Sequence, residues 1–405
     1  MTTLTPRDSK DVEEAVRWAL GHGKTLDIIG AGTKRGIGRP TQTDATLDLS
    51  GLSGITLYEP EELVLSAQAG TPLSEIEAAV AARGQELAFE PPDYGALLGH
   101  TRGGTIGGLL AANLSGPRRL KSGAARDHFL GFTAVSGRGE TFKSGGRVVK
   151  NVTGYDLCKL MAGSWGTLAV MTGVTIKVLP RAETEATIIL HGLDGGVAAR
   201  AMAAAMGSSC DVSGAAHLPA GLADRISGIA ARDAVTALRL EGVMPSVVHR
   251  RQMLMDILKP FGAASVVDAD ASRTLWRAIR DVTPFAMQAA MDERALWRIS
   301  AAPMQGPQVG RVLADEAGAE TLYDWAGGLV WALLPSSADA GQEIVRRAVA
   351  ANGGHATLVR APAALRAAVD VFEPQAAGVA TLSARIKAGF DPNRILNPGR
   401  MYTGI

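Results

Sequence analysis

The sequence is poor in residue types that define whole classes of protein. Only two cysteines, Cys158 and Cys210, occur in 405 residues, and neither belongs to a Cys-x-x-Cys or Cys/His cluster. We therefore do not expect this chain to hold a disulfide framework, a metal site or an iron–sulfur cluster. We expect it in a reducing, cytoplasmic compartment. No apolar run approaches the roughly 20 residues that span a bilayer, and charge near the N-terminus disfavours a secretory signal.

An excess of charge of one sign is also missing. The 41 Lys and Arg residues nearly balance the 40 Asp and Glu residues, giving a formal net charge of +1. Such a chain has no overall field to attract nucleic acid or anionic lipid, so no nucleic-acid partner is expected. Any membrane contact is expected to be indirect, through partner subunits.

Glycine, by contrast, is abundant and concentrated in loops. Residues 95–173 hold 17 of the 48 glycines. Backbone without Cβ atoms can approach a pyrophosphate closely and aim its amides at the oxygens, which favours a large nucleotide cofactor of the flavin type. The loops are Gly30–Gly38, Gly103–Gly108, Gly145–Asp156 and Gly163–Thr167.

The first loop follows a predicted strand, Thr25–Ile29, which is the context of a phosphate-binding loop. Arg39-Pro40 stands where a Rossmann fold would continue into a helix, so nicotinamide binding of that type is disfavoured. A flexible surface loop is the alternative interpretation.

The second loop is predicted to enter a short apolar helix. The N-terminus of that helix would present free amides to an anion, with Thr105 adding a hydroxyl donor. Close packing through small residues would explain the same glycines.

The third loop crowds polar groups around Gly154. Lys150, Asn151, Tyr155 and Asp156 all fall within a few residues of it, just before an apolar helix. These residues suit a cofactor site, and Asp156 is also suited to capping the helix.

Other candidate functional residues are scattered. His100 and His128 lie near the glycine loops and are expected to be structural or on the surface, and His355 either lines a site or begins a strand. The basic run at Arg118-Arg119-Leu-Lys121 is either a solvated face or an anion contact. No catalytic triad can be inferred, and we assign no catalytic residue.

The length of the chain and the change in composition along it predict two domains and a C-terminal segment. A chain of 405 residues exceeds the roughly 250–300 that one core supports. The bounds are 1–181 for the cofactor domain, 182–370 for an α+β cap and 371–405 for a C-terminal segment returning to the first domain. In the cap, Ala-rich helices alternate with short strands, which is typical of helices covering one face of a sheet.

Taken together, the loops resemble the vanillyl-alcohol-oxidase-like flavoproteins, which carry a PCMH-type FAD-binding domain. Within that family the chain is similar, over its whole length, to the FAD-binding E subunits of bacterial glycolate oxidases. The segments that carry the resemblance are Gly30–Arg35, Ala69-Gly70, Gly103–Gly108, Gly123–Asp127, Lys150–Asp156, Gly163–Leu168 and Phe390–Gly399.

The resemblance implies an α+β fold with a two-subdomain FAD-binding domain followed by a cap with an antiparallel sheet. It also implies a heteromer with a second flavoprotein subunit and an iron–sulfur subunit, oxidising glycolate, a small 2-hydroxy acid, to glyoxylate. Electrons would pass to an acceptor other than oxygen. The location implied is the cytoplasm, with peripheral attachment to the inner membrane through partners.

The resemblance also implies the cofactor contacts. The pyrophosphate would lie on Gly30–Lys34, and Gly166–Val170 would meet the adenine. The full set is Gly30, Ala31, Gly32, Thr33, Lys34, Arg35, Gly70, Gly103, Gly104, Thr105, Gly107, Gly108, Gly123, Ala124, Asp127, Lys150, Asn151, Gly154, Tyr155, Asp156, Gly166, Leu168 and Val170.

Two departures from the family matter. Many relatives attach FAD through a histidine in the first loop, but Thr33 and Lys34 follow Gly32 here, which predicts non-covalent FAD. The His-x-Gly-Asp-Gly-Asn-x-His segment of related 2-hydroxy-acid flavoenzymes is missing. The chain is therefore either an accessory subunit that relays electrons or supports a catalytic partner, or a self-sufficient dehydrogenase. A reductase for NADPH is disfavoured, since no second nucleotide motif occurs.

Overall fold

A computed structural model describes residues 2–147, 154–226, 233–286 and 293–405. Two sheets form the N-terminal part. The first sheet is parallel, with the strand order β1-β3-β2. Its strands are Thr2–Leu4 (β1), Leu26–Ile29 (β2) and Ala45–Asp48 (β3). The second sheet is antiparallel, with the strand order β4-β5-β9-β7-β8, and its strands are Ile55–Glu59 (β4), Val64–Gln68 (β5), Phe129–Ser136 (β7), Thr141–Gly145 (β8) and Ala169–Lys177 (β9). A small ribbon pairs Gln85–Glu86 (β6) with Leu179–Pro180 (β10).

The first helix packs these two sheets together. Its buried residues Val12, Val16 and Ala19 share a core with strand residues of both sheets, among them Leu47 and Val170. The helices of this part are Ser9–Gly21 (α1), Leu73–Ala81 (α2), Gly95–Leu98 (α3), Ile106–Ala112 (α4), Arg119–Ser122 (α5) and Leu157–Met161 (α6).

The start of α1 lies earlier than the sequence predicts. The spacing of Asp11 and Glu14 is that of a capping box and predicts a helix capped by Asp11. In the structure the N-cap is Asp8, whose carboxylate accepts hydrogen bonds from the amides of Lys10 and Asp11. Asp8 is extended, with φ −151° and ψ 178°, and leaves its side chain free to cap. Asp11 instead pairs with Arg7 one turn back.

An eight-stranded antiparallel sheet forms the second half, in the order β14-β11-β13-β12-β16-β17-β15-β18. Its strands are Thr184–His191 (β11), Gly214–Leu218 (β12), Val235–Gly242 (β13), Ala264–Val267 (β14), Ala295–Ser300 (β15), Glu320–Asp324 (β16), Leu329–Leu334 (β17) and His355–Arg360 (β18). Together with the two N-terminal sheets this confirms the predicted α+β class.

Most helices that pack on this large sheet cover one face, and one, Ala269–Arg280, packs on the other. The helices of the second half are Gly195–Met206 (α7), Met244–Leu258 (α8), Ala269–Arg280 (α9), Gly306–Ala317 (α10), Gln342–Asn352 (α11), Ala363–Ala368 (α12) and Ala377–Phe390 (α13). Buried residues of α7, α8, α10 and α11 pack on one side. The opposite side, with Trp331 and Leu322, shares a core with Phe89 and Leu97 of the N-terminal part. That junction holds the two halves against each other.

The chain end contacts the first sheet. Leu396 bridges to Leu26 of β2, and the Asn397 side chain accepts the Ile28 amide at 2.7 Å while donating to the Trp165 carbonyl at 2.8 Å. Lys387 of α13 is buried and donates to Asp391 and to two carbonyls. Among the described residues, no helix is both long and apolar enough to cross a membrane.

Candidate functional site

A cleft opens between the two N-terminal sheets. Its floor is apolar and one end is cationic. The lining residues are Ile28, Ile29, Gly30, Ala31, Gly32, Thr33, Lys34, Arg35, Leu49, Ala69, Thr105, Gly107, Gly108, Ala111, Trp165, Gly166, Ala169, Met171 and Arg400. A slot that joins an apolar wall to a cationic end suits an amphipathic anion.

The loop after β2 offers a run of free backbone amides. Residues 30–40 form turns and bends rather than a helix, as the Arg39-Pro40 pair predicts. Within the described ranges, the amides of Ala31, Gly32, Thr33 and Lys34 donate to no protein acceptor. Consecutive free amides in a turn form the kind of concavity that binds phosphate oxygens.

Two cations at the cleft end lack an acidic partner. Lys34 makes no ion pair with any described residue, and burial lowers its pKa to about 8. Arg400 is only 7% exposed, and burial lowers its pKa to about 10. No Asp or Glu lines the cleft. A bound anion would therefore offset the cost of burying both cations.

The glycines allow close approach across the cleft. A Cβ on Gly30 would lie 2.3 Å from the Thr105 hydroxyl oxygen, and one on Gly104 would lie 2.8 Å from the Lys34 ammonium nitrogen. Side chains at either position would displace the groups that form the cationic end. At Gly30 and Gly104, close contact between the two loops therefore favours glycine.

Ten of the predicted cofactor residues line this cleft. They are Gly30, Ala31, Gly32, Thr33, Lys34, Arg35, Thr105, Gly107, Gly108 and Gly166. Others lie outside its walls and remain predictions: Gly70, Gly103, Gly104, Gly123, Ala124, Asp127, Gly154, Tyr155, Asp156, Leu168 and Val170. Lys150 and Asn151 fall outside the described residues.

The expectation of free amides at the start of α4 is wrong. The Ile106 amide donates to the Thr71 carbonyl at 3.0 Å, and the Gly107 amide donates to the Ala69 carbonyl at 2.8 Å. The third amide, on Gly108, donates to the Thr105 hydroxyl at 3.3 Å. Close packing, the alternative interpretation of these glycines, explains them: a Cβ on Gly107 would lie 2.7 Å from the Ala69 carbonyl oxygen.

The polar groups of the two later loops pair locally. Asp127 accepts the Ala124 amide at 2.8 Å, which closes its own turn. Asp156 caps α6 by accepting the Lys159 amide at 3.2 Å, and Tyr155 is 89% exposed. The capping role that the sequence suggests for Asp156 is therefore present.

Sequence reasoning missed the contribution of the chain end. The C-terminal segment that carries the resemblance, Phe390–Gly399, ends one residue before Arg400. Arg400 donates to the carbonyls of Lys34 and Ile37 at 2.8 and 3.1 Å, and its Nε is buried without a partner. The signal was a cation directly after the Asn-Pro-Gly turn, but only the fold brings it to a loop more than 360 residues away.

Comparison with known proteins agrees with this geometry. Residues 2–145 match the model of the FAD-binding domain family. Glycolate oxidase subunit GlcE of Escherichia coli (strain K12) is 35% identical over 398 residues, 98% of each chain. The chain belongs to this GlcE family.

Two further likenesses are more partial. Glycolate oxidase subunit GlcD of Bacillus subtilis (strain 168) is 30% identical over 187 residues, covering 46% of this chain and 38% of that protein. The structure of 4-ethylphenol oxidase from Gulosibacter chungangensis with isoeugenol superposes with a TM-score of 0.72 at 14% identity, covering 99% of this chain and 89% of that one. The second likeness shows the fold alone and confirms the PCMH-type architecture.

The GlcE family membership and the match to the FAD-binding domain together establish this chain as an FAD-dependent oxidoreductase subunit with FAD as cofactor. The cleft fits that cofactor: free amides and two cations suit the pyrophosphate, and the apolar walls suit the rings.

Proposed function

We propose that this chain is the FAD-binding subunit of a glycolate oxidase complex and holds FAD non-covalently in the cleft. The observation that carries this is the pyrophosphate cradle: the Ala31–Lys34 amides, with Lys34 and Arg400 beside them. When bound, FAD supplies the two-electron acceptor that oxidation of a 2-hydroxy acid to a 2-oxo acid requires. The electrons then go to an acceptor other than oxygen.

The partners we propose are a second flavoprotein subunit and an iron–sulfur subunit. A GlcD subunit shares the FAD-binding part with this chain at 30% identity, which supports two related flavoproteins in one assembly. The described residues provide no group of three His, Cys, Asp or Glu side chains placed to hold a metal ion, so we assign the iron–sulfur cluster to the partner. Cytoplasmic location, with attachment to the inner membrane through partners, is part of the same proposal.

We infer that this chain relays electrons or supports a catalytic partner. Removing hydride from an alcohol needs a group that takes the hydroxyl proton. Among the residues that line the cleft there is no Asp, Glu or His. The second candidate, a self-sufficient dehydrogenase, is favoured by two arginines, Arg119 and Arg298, that lie over the Trp325 ring without an ion pair among the described residues.

Anaerobic glycolate addition distinguishes the two. We expect the flavin of the purified FAD-loaded chain to keep its absorbance near 450 nm until the partner flavoprotein is added. Bleaching of the chain alone within turnover time would establish the self-sufficient enzyme instead. If the complete complex does not bleach, glycolate oxidation itself is contradicted.

A further inference from the structure

A cluster of cations lies on the side of the eight-stranded sheet that faces the FAD-binding region. The guanidinium carbons of Arg119 and Arg298 lie 4.6 and 5.0 Å from the ring centre of Trp325. Trp325 is itself fixed, because its indole nitrogen donates to the Gly116 carbonyl at 3.0 Å. Two elements far apart in sequence, α5 and β15, thus present arginines to one aromatic ring.

Strand register extends this surface. Arg298 stands opposite Thr357, and Ser300 stands opposite His355, in the neighbouring strands β15 and β18. Because side chains alternate along a strand, these four lie on the same face. His355 is exposed, and partial desolvation and then Arg298 lower its pKa, which favours the neutral imidazole.

The two arginines have no ion-pair partner in the described part of the chain. Neither Arg119 nor Arg298 lies within ion-pair distance of a carboxylate there, and the Arg298 Nε is buried without a hydrogen-bond partner. Tyr94 and Asp324 are the acidic groups that interact with Arg298 electrostatically, and burial raises the pKa of Asp324 to about 7. Tyr94, also beside Arg298, stays neutral, since burial raises its pKa to about 12.

Two other arginines, Arg239 and Arg118, are paired with acids. Arg239 donates to both oxygens of Glu90 at 2.8 and 2.9 Å, and Arg118 pairs with Glu86 at 2.9 Å. At these two positions the fold supplies carboxylates within ion-pair distance. Near Trp325 neither arginine has a carboxylate within ion-pair distance among the described residues.

Arg119 of this cluster follows a cleft-lining helix closely in the sequence. Helix α4 lines the cleft with Ala111, and the chain then runs through Gly116 to Arg119. A ligand on Arg119 and Arg298 would therefore sit at the junction of the FAD-binding region and the large sheet. Planar guanidinium groups match a carboxylate, which they bind with paired N–H donors.

We propose that Arg298 and Arg119 bind the carboxylate of a small 2-hydroxy acid against the Trp325 ring. The inference rests on the proposed function for its ligand class and adds the site to this chain. Binding and turnover are separate: an accessory subunit with this site would hold substrate or product for the complex.

The test is calorimetric titration of the purified, FAD-loaded single chain with glycolate under anaerobic conditions. Glycolamide, which has the same shape without the charge, serves as the matched ligand. We expect glycolate to bind and glycolamide to bind at least ~10-fold more weakly, because charge-assisted bonds are lost. Equal binding of the two would overturn the proposal.

Variants locate the site. R298M and R119M should each weaken glycolate binding ~10-fold or more. R298K should have an intermediate effect, because lysine keeps the positive charge but loses the paired N–H donors of the guanidinium. Arg347→Met is the control: this arginine is 56% exposed and pairs with Glu316 on the helical side. FAD content and melting temperature are measured for each variant. The R119M result stands on its own if R298M does not fold.

Failure of this inference is distinguishable from failure of the proposed function. If the loaded chain does not bind glycolate while the complete complex oxidises it, the site is wrong and the function stands. If R298M and R119M both bind like the wild type, the site is equally wrong.

Discussion

At the residue scale, Thr33 occupies the first loop where many related flavoproteins place a linking histidine. It is 7% exposed and lines the cleft. A hydroxyl there cannot form the usual flavin bond, which requires a histidine, cysteine or tyrosine. None of these three residue types lines the cleft, and both cysteines are buried elsewhere.

We therefore expect acid precipitation to release all the flavin. The purified chain is denatured in acid, and the absorbance at 450 nm is read in the supernatant and in the washed pellet. Yellow colour retained by the pellet would contradict non-covalent binding. A covalent flavoprotein treated in the same way is the positive control for flavin retained in the pellet.

At the element scale, the turn after α13 completes the cofactor cleft. Asn397 ties it to β2 and to the Trp165 carbonyl, and Arg400 ties it to the carbonyls of the first loop. A Cβ on Gly38 would lie 3.1 Å from the Arg400 carbonyl, so the loop and the turn are in contact. The phosphate cradle therefore depends on the chain end being in place.

Arg400→Met is expected to weaken FAD binding about 10-fold, because a cation beside the pyrophosphate is lost while the volume of the aliphatic part of the side chain is kept. The dissociation constant is measured by flavin fluorescence on the apoprotein. Arg394→Met, in the same turn but exposed, is the control. If both variants bind FAD like the wild type, Arg400 has only a structural role.

At the scale of the whole molecule, a buried ion network joins the FAD-binding region to the large sheet. Glu86, Glu90 and Arg118 come from the first, and Arg239 and Glu241 from strand β13. Burying these charges is favourable only while they stay paired. Burial alone would raise the pKa of Glu241, but Arg239 and Arg118 outweigh it and hold that pKa at about 2.

Stability should therefore depend on pH through Glu241. A carboxyl whose pKa falls from 4.5 to about 2 on folding stabilises the fold by about 3 kcal/mol at neutral pH. That contribution is complete above pH 4.5 and is lost as pH falls towards 2. We expect Glu241→Gln to lower the free energy of unfolding at pH 7, and the gap to close below pH 4.5.

Urea unfolding followed by circular dichroism at pH 7, 5, 4 and 3 measures this gap. Glu316→Gln, at a half-exposed glutamate outside the network, should follow the wild type at every pH. A gap for Glu241→Gln that stays constant from pH 7 to pH 3 would rule out titration of Glu241 as its source.

Local patterns predicted much of the fold. The strand before the first loop, the glycine turn into α4 and the capping by Asp156 are each set by neighbouring residues, so the chain itself carries the signal. The sequence predicts Asp11 as the cap of α1 and the structure has Asp8, since both are acidic residues able to cap. Local sequence could not decide between them.

Local sequence is enough to indicate the cofactor class, since glycine spacing, the Arg39-Pro40 break and Thr33 are local properties of the backbone and its side chains. Which amides are free and which cations lack a partner depends instead on how the chain folds. The α4 amides are used by Thr71 and Ala69, whereas Arg400 and Lys34 meet across the chain. Likewise Arg119 and Arg298 share one ring only because the large sheet packs on the FAD-binding region. Pairing of charges depends on distance in space, which no spacing along the chain specifies.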